Sequence, residues 1–165
     1  MKVDIVEVSG FTAVGIRVTD LMSNLGIGVR NAWTRLQDRK QDINNIKDKS
    51  ITLGISPPNY KGNHGMLDFY VCFEVEPFVH LPQGMVHIEI SPRQYARTTY
   101  RGSGAESYKA YDFTTQWIKE HGYSYDDISY YFEVYNQQTK MLDPDDIENE
   151  IQIYSPVKPM ETNVG

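Results

Sequence analysis

Phe11-Thr12-Ala13-Val14-Gly15-Ile16-Arg17-Val18 alternates, with Val14, Ile16 and Val18 on one face and Ala13, Gly15 and Arg17 on the other. A period of two predicts a half-buried strand. Upstream, residues 3–8 (VDIVEV) alternate as well, and Ser9-Gly10 separates the two runs. Downstream, residues 24–28 read as a loop or a loose helix start. Val29, Trp33, Leu36 and Ile43 then recur at helical spacing, which predicts a helix over about 29–39. Residues 51–55 form a short strand stopped by Pro57-Pro58. Residues 67–75 alternate strongly and stop at Pro77. A Gly- and Asn-containing loop over 59–65 joins them.

The same order follows again. Pro82-Gln83-Gly84 turns the chain into a short strand over 85–90, and residues 94–101 form a strand ending at Gly102. Ser103 and Glu106 have capping-box spacing ahead of a helix. That helix carries Ala110, Phe113 and Trp117 on its inner stripe, and Gly122 sits just past its end. Residues 130–136 are an aromatic-rich strand and 136–149 a long acidic loop. The last strand covers 150–154 and is halted at Pro156, leaving a loose tail over 158–165. Phe11, Trp33 and Ile51 lie 83, 84 and 79 residues before Gln94, Trp117 and Tyr130.

This repeat predicts one α+β domain over 1–157. Duplicated β-α-β-β units, about 3–76 and 85–157, form one antiparallel sheet with two helices on one face. A pseudo-twofold axis relates the halves and gives Trp33 and Trp117 equivalent places. The other face of the sheet, or the groove where the halves meet, is left for a ligand.

Composition narrows the function classes. A chain of 165 residues buries roughly 70% of its unfolded surface and needs no disulfide or metal for a core. The single cysteine, Cys72, suits a reducing compartment. Residues 1–10 have no signal-peptide pattern, and no run approaches the roughly 20 apolar residues of a membrane span. These features predict a soluble cytoplasmic protein with no membrane partner. The net charge of −6 repels nucleic acid, and the densest basic run, 35–49, is interrupted by Asp38, Asp42 and Asp48. No direct nucleic-acid binding is expected. His64, His80, His87 and His121 are scattered without metal-ligand spacing. Gly26-x-Gly28 and Gly102-x-Gly104 complete no phosphate loop. No metal and no cofactor are expected.

Twelve tyrosines favour an aromatic pocket. In Tyr130-Tyr131-Phe132-Glu133-Val134-Tyr135, alternation puts Tyr131, Glu133 and Tyr135 on one face. Two readings stay open from alternation: a charge on the floor of an aromatic pocket that attracts a cation, or a solvated strand face that happens to carry a Glu. Tyr70, Cys72 and Glu74 share a strand face as weaker candidates, and Tyr95 and Tyr100 are further liners. Trp33 and Trp117 reach either the pocket edge or the core. Cys72 reads as a small buried hydrophobe.

Four segments together resemble the GyrI-like effector-binding domain, which occurs alone and fused to multidrug-sensing regulators, including the AraC type. They are Val8-Ser9-Gly10-Phe11-Thr12-Ala13-Val14-Gly15-Ile16, Leu81-Pro82-Gln83-Gly84-Met85, Gln94-Tyr95-Ala96 leading to Tyr100-Arg101-Gly102, and Glu133-Val134-Tyr135 with the closing Ile153-Tyr154-Ser155-Pro156-Val157. The resemblance implies a duplicated strand-helix-strand-strand (SHS2) fold with its pocket at the junction of the halves. It implies that Glu133 faces hydrophobic, cationic small molecules, as in a stand-alone sensor or sequestering protein. It also implies an alternative, a hydrolase of strained-ring electrophilic toxins with Glu133 as general base, helped by Tyr135 or Tyr95. The family name adds gyrase inhibition, to which no residue here points. A regulator protein or a second copy of the chain is the partner the resemblance allows.

Overall fold

The computed structural model describes residues 1–58, 65–77 and 80–161. Most of the loop expected over 59–65 lies outside the described residues. Alternation in β2 (Phe11–Leu21) sends Val14, Ile16 and Val18 against α1 (Met22–Asp38), where Ala32 and Leu36 are fully buried. β3 (Thr52–Ser56) and β4 (Met66–Val75) complete the first half, and Phe69, Val71 and Phe73 extend the same core. The second half has β6 (Arg93–Arg101), α2 (Tyr108–Glu120), β8 (Tyr131–Tyr135) and β9 (Glu150–Pro159). Three more strands are β1 (Lys2–Val8), β5 (Val86–Ile90) and β7 (Tyr123–Tyr125).

The strand order is β1-β6-β9-β8-β3-β4-β2-β5, with β7 paired to β9, and every pairing is antiparallel. The sequence β2-β4-β3 meets its counterpart β6-β9-β8 back to back across β3 and β8. The outer strands are exchanged: β1 precedes β2 in the chain but pairs with β6, and β5 precedes β6 but pairs with β2. Each half therefore edges the other.

The ladders fix the internal equivalence. Val14 opposite Phe73 in the first half corresponds to Ala96 opposite Ser155 in the second, an offset of 82. The helices keep that offset, since Ala32 and Leu36 match Thr114 and Ile118 as buried positions. The counterpart of Trp33 is thus Thr115, and Trp117 is not equivalent to Trp33. Two residues on a helix is a rotation of roughly 200°, so the two tryptophans face different ways. The inner stripe of α2 is Ala110, Thr114 and Ile118, and Phe113 is 37% exposed.

Three boundaries differ from expectation. α1 begins at Met22 and runs through Gly28, where a Cβ would come within 2.9 Å of the Val18 side chain. Glycine serves close packing there. Ser103 caps a short turn over Gly104–Glu106, accepting from the Ala105 amide at 3.3 Å, and α2 starts after it. β9 runs through Pro156 to Pro159, so residues 158 and 159 are strand. Pro156 lacks an N–H, but its carbonyl accepts from Asp126 N at 2.8 Å, and β7 pairs the strand beyond it. Residues 162–165 lie outside the described part.

Among the described residues no helix covers the back of the sheet. Phe11 on β2 and Phe132 on β8 sit three strand spacings apart along the ladder, roughly 14 Å if the sheet were flat. Their ring centroids are 5.3 Å apart in an edge contact. The sheet therefore curls over its own back face. Phe132 also stacks on Tyr154 at 4.5 Å, and Ala13, Ile55, Cys72, Ile88 and Tyr95 fill the space. Of the two places left open for a ligand, this packing occupies one. Among the described residues no helix is long and apolar enough to cross a membrane.

Candidate functional site

α1 lies over β2 and β4, and α2 lies over β6 and β7. Neither helix packs its body closely on the central strands β3 and β8, and the space between the helices over these strands is the junction groove. Its floor is built by the β3–β8 ladder, in which Gly54 lies opposite Glu133, Thr52 opposite Tyr135 and Ser56 opposite Tyr131.

Glu133 sits at the centre of this floor. Tyr135 donates its hydroxyl to Glu133 Oε2 at 3.4 Å, and Tyr111 on α2 also hydrogen-bonds the carboxylate. No Lys, Arg or His pairs with Glu133 among the described residues. Solvent reaches part of the residue, yet protein surrounds its carboxylate on most sides. Desolvation pushes the carboxyl up to about 7, against the lowering effect of the two tyrosine hydrogen bonds. The Tyr111 and Tyr135 hydroxyls are held well above the ordinary phenol range, first by burial and then by the neighbouring carboxylate. Both stay protonated and donate.

Gly54 makes this arrangement possible. A Cβ there would lie 2.2 Å from Tyr135 Oη and 2.6 Å from Phe69 Cζ. The missing side chain lets the Tyr135 ring cross β3 and reach back to Glu133. In the repeat, Gly54 is the counterpart of Glu133 itself, so the junction carries one carboxylate rather than two.

The walls come from both helices. Trp33 donates its indole N–H to Thr52 Oγ1 at 3.2 Å on the α1 side. On the α2 side Thr115 and the Tyr125 hydroxyl are 2.6 Å apart, and the Tyr125 and Tyr131 rings are tilted at 5.8 Å. Glu133, Tyr131 and Tyr135 share one face of β8, and Trp33 reaches the same ladder through Thr52 while packing against the first core. The candidates Tyr70, Tyr95, Tyr100 and Trp117 do not join them. Tyr95 is fully buried on the back face and donates to the Tyr130 carbonyl at 2.9 Å, and Tyr70 belongs to the same back-face cluster. Tyr100 lies under α2 and donates to the Ser103 carbonyl at 2.6 Å. Trp117 packs beside Ala96, Ile118 and Val157 and stacks on His121 at 3.9 Å. Cys72 is buried, with its thiol pushed far up by desolvation, and its strand neighbour Glu74 pairs with Lys47 at 3.3 Å.

Tyr111 and Gly54 are the site residues missed in the sequence. The signal for Tyr111 was its place next to Ala110 in the buried stripe Ala110, Thr114 and Ile118 of α2. Among the described residues no group of three His, Cys, Asp or Glu side chains could hold a metal ion.

A family model of integron-associated effector binding proteins matches residues 4–157. The transcriptional regulator BrlR of Pseudomonas aeruginosa is 28% identical over 163 residues, covering 95% of this chain and 56% of BrlR. The chain therefore spans about half the length of that curated relative. A solved protein bound to tetraphenylphosphonium superposes with a TM-score of 0.66 at 17% identity, over 96% of this chain and 94% of that one. A hydrolase from Listeria innocua gives 0.62 at 9% identity, over 95% and 92%. At such identities the two structural likenesses speak to fold alone.

Proposed function

Because the chain belongs to the family of integron-associated effector binding proteins, we propose that its effector is a hydrophobic cation held over Glu133 in the junction groove. Small-molecule binding is the family's character, and the class of molecule is our inference. One observation carries it: a desolvated carboxylate, with no cationic partner among the described residues, is ringed by Tyr111, Tyr131 and Tyr135. Such a group is costly while it stands alone. A cation with apolar substituents offsets that cost and adds contact with the tyrosine faces. The likeness in fold to a protein bound to tetraphenylphosphonium is consistent with the reading.

The role proposed is sensing or sequestration by a cytoplasmic protein, with any DNA contact made by a separate partner. The net charge of −6 supports that division.

The test is a matched ligand pair at pH 8, where Glu133 is ionised. Tetraphenylphosphonium carries the charge, and triphenylphosphine oxide is a neutral aromatic comparison. Glu133→Gln is expected to weaken the cation by about 2 kcal/mol, roughly thirtyfold, and the neutral compound little. Equal losses for both would remove the charge from the account.

A second reading rests on the position of Glu133 near pH 7. A carboxylate poised there suits a general base, with Tyr135 or Tyr111 as a proton donor, for water attack on a strained-ring electrophile. Product analysis separates the readings: consumption no faster than in buffer eliminates the hydrolase.

A further inference from the structure

Beside the Glu133 groove, a cavity of about 150 Å³ opens between α1, the approach to β3 and the loop after β8. Its apolar walls are Trp33, Tyr135 and Met141. Its polar lining is Ser50, Thr52, Asn136 and Thr139, which are hydrogen-bonded within the protein, and Gln37 with the exposed Lys49 and Gln137, whose side chains make no hydrogen bond or ion pair with other described residues. The adjacent acid, Asp48, is already engaged by the Ser50 amide at 2.9 Å and hydroxyl at 2.6 Å. All three uncommitted side chains can donate, and one of them is a cation. The volume holds about five water-sized groups, enough for a carboxylate on a short chain.

Tyr135 belongs to both spaces. Its hydroxyl reaches Glu133, and its ring forms a wall of this cavity. A molecule lying along that ring meets a carboxylate at one end and a lysine with two amides at the other. We propose that this cavity receives the carboxylate end of the effector, which is therefore an amphipathic zwitterion rather than a simple lipophilic cation. For the other end of the ligand, the inference rests on the reading of Glu133 as a cation site.

The probe is a naphthylmethyl-dimethylammonium ion carrying a carboxylate on a flexible tether of three to six methylenes, compared with its methyl ester by calorimetry at pH 8. The acid is expected to bind the wild type roughly three- to tenfold more tightly than the ester at the best tether length. Lys49→Met brings the acid down to the level of the ester, and Lys49→Arg keeps the advantage. Acid and ester binding alike at every tether length would overturn the proposal, as would equal weakening of both by Lys49→Met. Glu133→Gln separates the two ideas. Lower affinity for both compounds at an unchanged acid-to-ester ratio supports both sites. No change for either compound removes the cation site, and the ratio in wild type still decides the carboxylate site.

Discussion

Gly15→Ala is expected to destabilise the protein by about 3 kcal/mol or more, the cost of overpacking where nothing can swing aside. Gly15 lies in the middle of β2, opposite Cys72 on one side and Val86 on the other. A Cβ there would stand 1.9 Å from the Val71 carbonyl oxygen and 2.6 Å from Cys72 Cα. These are backbone atoms, so relief requires the β2–β4 ladder to part. That ladder carries Val14, Ile16, Val71 and Phe73, the heart of the first core. An isolated strand glycine marks such a close approach. Domains are stable by only about 5–15 kcal/mol, so the loss is a large share. Urea denaturation of the variant measures it, and a midpoint shift worth less than about 1 kcal/mol would show that the strands yield easily.

Glu133→Gln has the opposite sign, and its size depends on pH. The folded carboxyl titrates at about 7, above its ordinary value of 4.5, because burial disfavours the charge. Between those values the folded protein holds a proton that the unfolded chain has released. Wild-type stability from this group therefore falls as pH rises from about 4.5 to about 7, and stays lower above. The shift corresponds to about 3 kcal/mol, and partial solvent access reduces it to about 2. The glutamine variant is expected to be more stable than wild type by that amount at pH 8 and equal to it at pH 4. Unfolding curves for both proteins at the two values check this. A variant less stable at pH 8 would mean that the carboxylate is structurally paired.

The fold was legible because its signals are local and repeated. Alternation located β2, β4 and β8 to within a few residues, and the recurrence of element order implied the shared sheet. The exchange of β1 and β5 between halves was not legible, since nothing within either strand states which neighbour it joins. The helix equivalence was misread for a physical reason. Two tryptophans drew the alignment, whereas the close approaches of Gly28 to Val18 and Ala110 to Tyr100 set it. Parity explains the candidate site. Tyr131, Glu133 and Tyr135 share one parity on one strand, so alternation found them together. Tyr95 has the opposite parity from Ala96, Thr98 and Tyr100 on β6 and therefore points into the curled back face. Tyr111 and Gly54 act only through contacts across elements, to which a single strand or helix is blind.

Calorimetric titration of tetraphenylphosphonium into wild type and Glu133→Gln, from pH 5 to pH 9, tests the central claim most directly. A cation that binds the ionised carboxylate must gain affinity as Glu133 loses its proton. Wild-type affinity is expected to rise across a midpoint near 7, where the carboxyl titrates, and then level off. The variant, which has no group to titrate there, is expected to stay flat at the low level. An affinity for wild type that does not change across pH 7, or the same rise in the variant, would contradict the assignment of Glu133 as the seat of the cation.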